Sequence, residues 1–138
     1  MTEVVLDASV VVKWFHTEGE DNVPAARTLR TDFEAGKLSV ICPRLLHLEI
    51  VNVAGRRWRW QRTALAELAR ALDALSFELR EPELGSIAEW TARGLTAYDA
   101  SYVALAESEE IQLITDDQVI LAVAPGAALA LAAIEEGK

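Results

Sequence analysis

Along this 138-residue chain, short apolar runs without polar alternation are separated by longer segments whose apolar residues recur at helical spacing. Glu3 to Leu6, Leu38 to Cys42 and Ile111 to Ile114 read as strands, because a strand covered on both faces needs no polar side. Asp7 precedes the apolar stretch Ala8 to Phe15, which predicts a buried helix capped by that aspartate. Pro24 and Gly36 stand at the two ends of the next helix, Val23 to Ala35. Arg44 to about Trp58 and Thr63 to Leu75 predict two more helices, together a helical arm. Phe77 to Arg80 is a third strand candidate, Leu84 to Arg93 another helix, and Ala97 to Glu107 a helix opened by Thr96. A short helix to Ala122 follows Asp117, and Ala128 to Ile134 is read as a last strand in preference to a helix. Alternating strands and helices predict an α/β fold over residues 1–138 as a single domain: a doubly wound parallel sheet of four or five strands, with helices on both faces. Ligands of such sheets gather beyond the C-terminal strand ends.

Composition narrows this. With 51% hydrophobic and 25% charged residues the chain is globular, and its length suffices for one core. Cys42 is the only cysteine, so it forms no internal disulfide and has no zinc-ligand spacing, which fits the reducing cytoplasm. The N-terminus lacks the basic flank and cleavage site of a signal peptide. The uncharged stretch Val119 to Ile134 is broken by Pro125-Gly126 and falls short of the ~20 residues of a membrane helix, so no membrane partner is expected. A formal charge of −9 excludes a general nucleic-acid coat, which needs a basic face. An acidic protein that cuts nucleic acid needs a local basic patch and cations among its carboxylates.

Asp7 follows the first strand, Asp116 and Asp117 follow the fourth, and Asp99 opens the helix before it, so three segments carry acids towards one sheet edge. Glu49 lies inside the apolar run from Leu45 to Val53, where an unpaired charge would cost several kcal/mol. Each acid also has a structural explanation. Asp7, and Asp116 or Asp117, can cap the helices that follow them; Asp99 stands at capping-box spacing from Thr96; Glu49 can pair with Arg56 or Arg93. Convergence of all of them is better explained by magnesium or manganese, which prefer carboxylate ligands and promote phosphodiester hydrolysis. Asn52, one helical turn beyond Glu49, is expected to hydrogen-bond that acid. His16 and His47 do not pair at metal-ligand spacing.

The only concentrated positive charge is Arg56-Arg57-Trp58-Arg59-Trp60-Gln61-Arg62. Its arginines suit phosphates and its tryptophans unpaired bases, but the same residues anchor protein interfaces or pack a helix junction. A contact to a protein partner, a contact to a nucleic-acid strand and ordinary packing all stay open.

Val-Leu-Asp-Ala-Ser at 5–9, Leu-Glu-Ile-Val-Asn at 48–52, Tyr-Asp-Ala-Ser-Tyr-Val-Ala-Leu-Ala at 98–106 and Leu-Ile-Thr-Asp-Asp at 113–117 together resemble the PIN-domain family, especially VapC-type toxins. The resemblance spans nearly the whole chain, in order and at similar spacings. It implies a PIN-like fold, metal-bound acids, RNA cleavage to 5′-phosphate and 3′-hydroxyl ends by metal-activated water, a homodimer and a cognate VapB-like antitoxin. Asp7, Glu49 and Asp99 match the first three catalytic, metal-binding acids, and Asp117 the fourth; Asp116 occupies the variable place beside it, as a further metal ligand or a solvent-facing residue. Ser9 and Thr115 match hydroxyls that hold a carboxylate or water near the metal. A phosphatase or receiver domain is disfavoured, since position 9 is Ser9, position 6 is Leu6 and no lysine follows the fourth strand closely. A non-catalytic PIN scaffold and a free-standing PIN nuclease of RNA processing are the competing readings.

Overall fold

The computed structural model describes residues 1–134; residues 135–138, included in the single-domain expectation, lie outside the described residues. Five strands form one parallel sheet: β1 (Thr2–Leu6), β2 (Leu38–Cys42), β3 (Glu78–Leu79), β4 (Gln112–Thr115) and β5 (Ala128–Ala130), in the spatial order β3-β2-β1-β4-β5. β1 is central. Its Val5 pairs with Ile41 of β2 on one side and with Leu113 of β4 on the other. Val4, Val5 and Leu6 are all buried, as are Val40 to Cys42 and Leu113 to Thr115, so apolar side chains fill both faces of the inner strands.

The chain winds outward from β1 to β2 and β3, then returns and winds to β4 and β5. Right-handed crossovers therefore place the helices of the two halves on opposite faces. The first half carries α1 (Ala8–Val11), α2 (Val23–Glu34), α3 (Leu45–Arg56) and α4 (Arg62–Ala74). The second carries α5 (Leu84–Ala92), α6 (Ala97–Glu109) and α7 (Gln118–Val123). The expected helical arm is α3 and α4, which pack together.

Two elements differ from expectation. The helix expected from Ala8 to Phe15 is only α1, followed by a 3-10 turn over Val12–Trp14. Asp7 stands at the N-cap position of α1 but makes no side-chain cap bond; its carboxylate is engaged elsewhere. The expected last strand shortens to Ala128–Ala130 before another 3-10 turn over Leu131–Ala133. Other boundaries shift by a residue or two. Gly36 ends the α2 segment at a φ of 74°, a conformation that favours glycine.

Because Leu113 is wholly buried at the centre of the sheet and Leu84 is 79% exposed, their truncations should separate cleanly. Leu113→Ala should cost about 2–5 kcal/mol in a denaturant titration. Leu84→Ala should stay within about 0.5 kcal/mol of the parent.

Candidate active site

The sheet's order reverses between β1 and β4, and a crevice opens there at the C-terminal strand ends. β1 delivers Asp7 to it directly. Two parallel hydroxyls fix that carboxylate: Ser9 Oγ donates to Asp7 Oδ1 at 2.6 Å, and Thr115 Oγ1, at the end of β4, donates to Asp7 Oδ2 at 2.6 Å. Both hydroxyl oxygens accept in turn from the next loop. Asp116 N donates to Ser9 Oγ at 2.9 Å and Asp117 N donates to Thr115 Oγ1 at 3.0 Å. The ends of adjacent strands are thus tied through Asp7.

Asp117 opens α7, and its Oδ1 accepts from Val119 N and Ile120 N. Capping spends one oxygen; Oδ2 makes no hydrogen bond among the described residues, so the structural and the metal-binding roles are compatible. Asp99 lies in the first turn of α6, whose N-cap Thr96 Oγ1 accepts from Asp99 N at 3.1 Å. The Asp99 carboxyl is raised by burial and by the charge of Asp117, and lowered by a side-chain bond with Thr96.

Glu49 is half-buried on α3, and the phenol of the fully buried Tyr102 on α6 donates to its Oε1. The arginine partners considered from sequence are not used. Arg93 lies over the Trp90 ring at 4.4 Å, and Arg56 makes no ion pair among the described residues. The bond expected from Asn52 to Glu49 is also not formed. Leu46, Ile50 and Ala54 mark the buried stripe of α3, and at 100° per residue Asn52 falls opposite it, exposed. Tyr102 is the residue that sequence reasoning missed. It stands three positions after Asp99, a spacing that sets both side chains on one helix face.

The four acids feel one another. Burial pushes the Asp7 carboxyl up to about 7, against the two hydroxyl bonds, with smaller upward pushes from the charges of Asp117 and Asp99. Burial also raises Glu49, opposed by the Tyr102 bond and aided by Asp99 and Asp117. Asp99 rises through burial and the charge of Asp117. No lysine or arginine forms a salt bridge to these four residues among the described residues. Their oxygen donors and uncompensated charge fit a hard divalent cation. Among the described residues they do not form a closed cage, so the donors would have to draw together around it.

Asp116, expected to share this role, is engaged elsewhere. Its Oδ2 pairs with Lys13 Nζ at 3.2 Å and its Oδ1 accepts from Asn22 Nδ2 at 3.0 Å. Lys13, itself buried, also holds Glu20 Oε1 at 2.8 Å. The charge and the amide beside it account for the separation of the two adjacent aspartates: Asp117 joins the carboxylate group and Asp116 does not.

The basic aromatic segment divides in two. Trp58 and Trp60 pack half-buried against the core, with Trp58 stacked on His16 at 4.3 Å between centroids. Arg56, Arg57, Arg59 and Arg62 are exposed and without ion pairs among the described residues. Trp60 therefore serves the helix junction, Trp58 serves it through its stack on His16, and the arginines stay available.

The PIN domain family matches residues 4–125. A curated relative from Pyrobaculum aerophilum, named exonuclease VapC9, is 37% identical over 90 residues, 60% of this chain and 68% of its own. Another from Mycobacterium tuberculosis, named ribonuclease VapC1, is 30% identical over 131 residues, 91% of this chain and 93% of its own. Among solved structures, a Pyrobaculum aerophilum protein superposes with a TM-score of 0.67 at 29% identity, covering 95% of this chain and 90% of that one. A chain of a toxin–antitoxin complex from Klebsiella pneumoniae has the same fold, with a TM-score of 0.57 at 19% identity over 93% and 97% of the two chains.

A carboxyl whose folded-state pKa lies above its unfolded value stabilises the fold below the unfolded value and loses that contribution as pH rises through the folded one. With chelator present, thermal stability should therefore fall between pH 4 and about 7 as Asp7 ionises. Asp7→Asn should flatten most of that slope and melt higher than the parent at pH 8; thermal scans at several pH values check both.

Proposed function

The chain belongs to the PIN-domain family and is of the VapC type, and from that premise we propose that it is a metal-dependent endoribonuclease, the toxin of a VapBC-type toxin–antitoxin pair. The observation that carries the reading is the group of Asp7, Glu49, Asp99 and Asp117, electrostatically coupled at the sheet's switch point with no salt bridge to a basic side chain among the described residues. Charge decides the order of events. A phosphodiester is repelled by these acids in a chain of net charge −9, so cation binding must precede productive RNA binding.

Asp7, Glu49, Asp99 and Asp117 would hold magnesium or manganese, whose Lewis acidity activates water and offsets charge on the phosphate oxygens. Ser9 and Thr115 keep Asp7 in one orientation, and Tyr102 does the same for Glu49. The reaction is hydrolysis: the water oxygen bonds to phosphorus, the bond to the 3′ oxygen breaks, and that oxygen takes up a proton. The products are 5′-phosphate and 3′-hydroxyl ends. Exposed Arg56, Arg57, Arg59 and Arg62 offer contacts to the RNA strand or to an acidic stretch of the antitoxin. A VapB-like antitoxin, a homodimer of this one-domain chain and a cytoplasmic setting follow from the VapC type; no helix among the described residues is long and apolar enough to cross a membrane.

Because one relative is named an exonuclease and another a ribonuclease, the substrate of choice is a circular RNA, which only internal cutting opens. Purified chain freed of partner should linearise it with manganese, and neither chelated enzyme nor Asp99→Asn should. A folded, manganese-binding protein that leaves both circular and linear RNAs intact would favour the non-catalytic scaffold. Loss of the Tyr102 hydroxyl should act through Glu49: Tyr102→Phe is expected to weaken manganese binding about 10–100-fold in a calorimetric titration while leaving the circular dichroism spectrum unchanged.

A further inference from the structure

Beside the carboxylates lies a second cleft, of about 200 Å³, that the hydrolytic chemistry does not use. It shares one residue with the reactive group: Ser9, whose hydroxyl is bonded to Asp7, lines it. Val12, Val53 and the half-buried Trp58, which stacks on His16 at 4.3 Å, make its apolar lining. Lys13, Glu20, Arg57 and Asp116 make its charged lining. Lys13 is only 4% exposed and is shared between the two carboxylates, at 2.8 Å to Glu20 and 3.2 Å to Asp116.

The charges say what such a cleft excludes. Lys13 is already shared between two carboxylates and Arg57 is the exposed cation of the lining, so a phosphate belongs at Arg57 and not beside Lys13. The acids of the lining instead accept hydrogen bonds. Asp116 has both oxygens engaged, but Glu20 uses only Oε1, and its Oε2 has no hydrogen-bond partner among the described residues. A flat ring that carries N–H donors on one edge and stacks on an indole matches both linings. Arg57, exposed and also lining the cleft, is available to the phosphate attached to such a ring.

We propose that this cleft is a base-binding subsite that selects an unpaired guanine next to the scissile phosphate, stacked on Trp58 and read by the Glu20 carboxylate. Of the four RNA bases, guanine alone presents two adjacent N–H donors, from N1 and N2, on its Watson–Crick edge, which the Glu20 carboxylate can meet with Oε2 and with the second lone pair of the Lys13-bonded Oε1. Adenine and cytosine each offer a single amino group beside an acceptor nitrogen, and uracil a single imino group between two carbonyls. The subsite rests on the ribonuclease reading for its biological meaning, while its existence is measurable without catalysis.

The test uses metal-free, ¹⁵N-labelled full chain and the four nucleoside 5′-monophosphates, with the Trp58 indole N–H resonance assigned by Trp58→Phe. Guanosine monophosphate should shift that resonance with a dissociation constant about tenfold below those of the other three. Glu20→Gln should abolish the preference, whereas Trp58→Phe, followed through the backbone amide of Val53 because the indole is gone, should weaken all four ligands and keep their order. No nucleotide response at Trp58, as a protein-contact surface would give, overturns the subsite; so does equal affinity for the four, or a guanine preference that survives Glu20→Gln. The circular RNA assay separates the two readings. Manganese-dependent cutting with no base discrimination removes the subsite alone, and guanine binding by a chain that cuts no RNA removes the nuclease alone.

Discussion

Burial of one aspartate at the end of the central strand is the constraint around which the rest of the site is arranged. Asp7 is 4% exposed, and an ionised carboxylate there is tolerated only because two hydroxyls converge on it. Those hydroxyls come from opposite sides of the junction, Ser9 from the turn after β1 and Thr115 from the end of β4. Holding the acid therefore also holds the adjacent strand ends together. The same two oxygens receive the amides of Asp116 and Asp117, so the loop that brings the fourth acid is shaped by the groups that fix the first.

From that junction the remaining acids sort by what their neighbours provide. Asp117 divides its oxygens between capping α7 and the crevice, whereas Asp116 is drawn to Lys13 and Asn22. Glu49 comes from the other helical layer, and the buried phenol of Tyr102 fixes its place across the sheet edge. What results is a group of negative charges with defined orientations and an unmet demand for a cation. Such a group raises its own proton affinity when no metal is bound, and so couples metal binding to proton release.

The strands and most helices were legible from local rules. Unbroken apolar runs marked β1, β2 and β4, and Pro24, Gly36 and Thr96 marked helix ends within a residue or two. Asp7, Asp99 and Asp117 were legible because each follows a strand or opens a helix, where local structure fixes its place in the fold, and Glu49 because an acid interrupts the apolar run of α3. The unread parts depended on partners distant in sequence. Tyr102 meets Glu49 across 53 positions, and the diversion of Asp116 depends on Lys13 and Asn22, neither of which carries a local signature. Asn52 illustrates the converse error: a neighbour of Glu49 along the helix was read as its partner, although the curvature of the helix surface turns it to solvent. The short first helix was overread for a similar reason, since an apolar run gives no sign of where an α-turn tightens into a 3-10 turn.

The hydrogen bond between Thr115 and Asp7 joins residues 108 positions apart. A chain emerging from the ribosome presents Asp7 well before Thr115, and it cannot complete that bond, or bring Asp117 beside it, until β4 has left the exit tunnel and found β1. Contacts of such long separation form late in folding. Synthesis thus carries its own delay: the group of acids stays incomplete while the residues between Asp7 and Thr115 are being made.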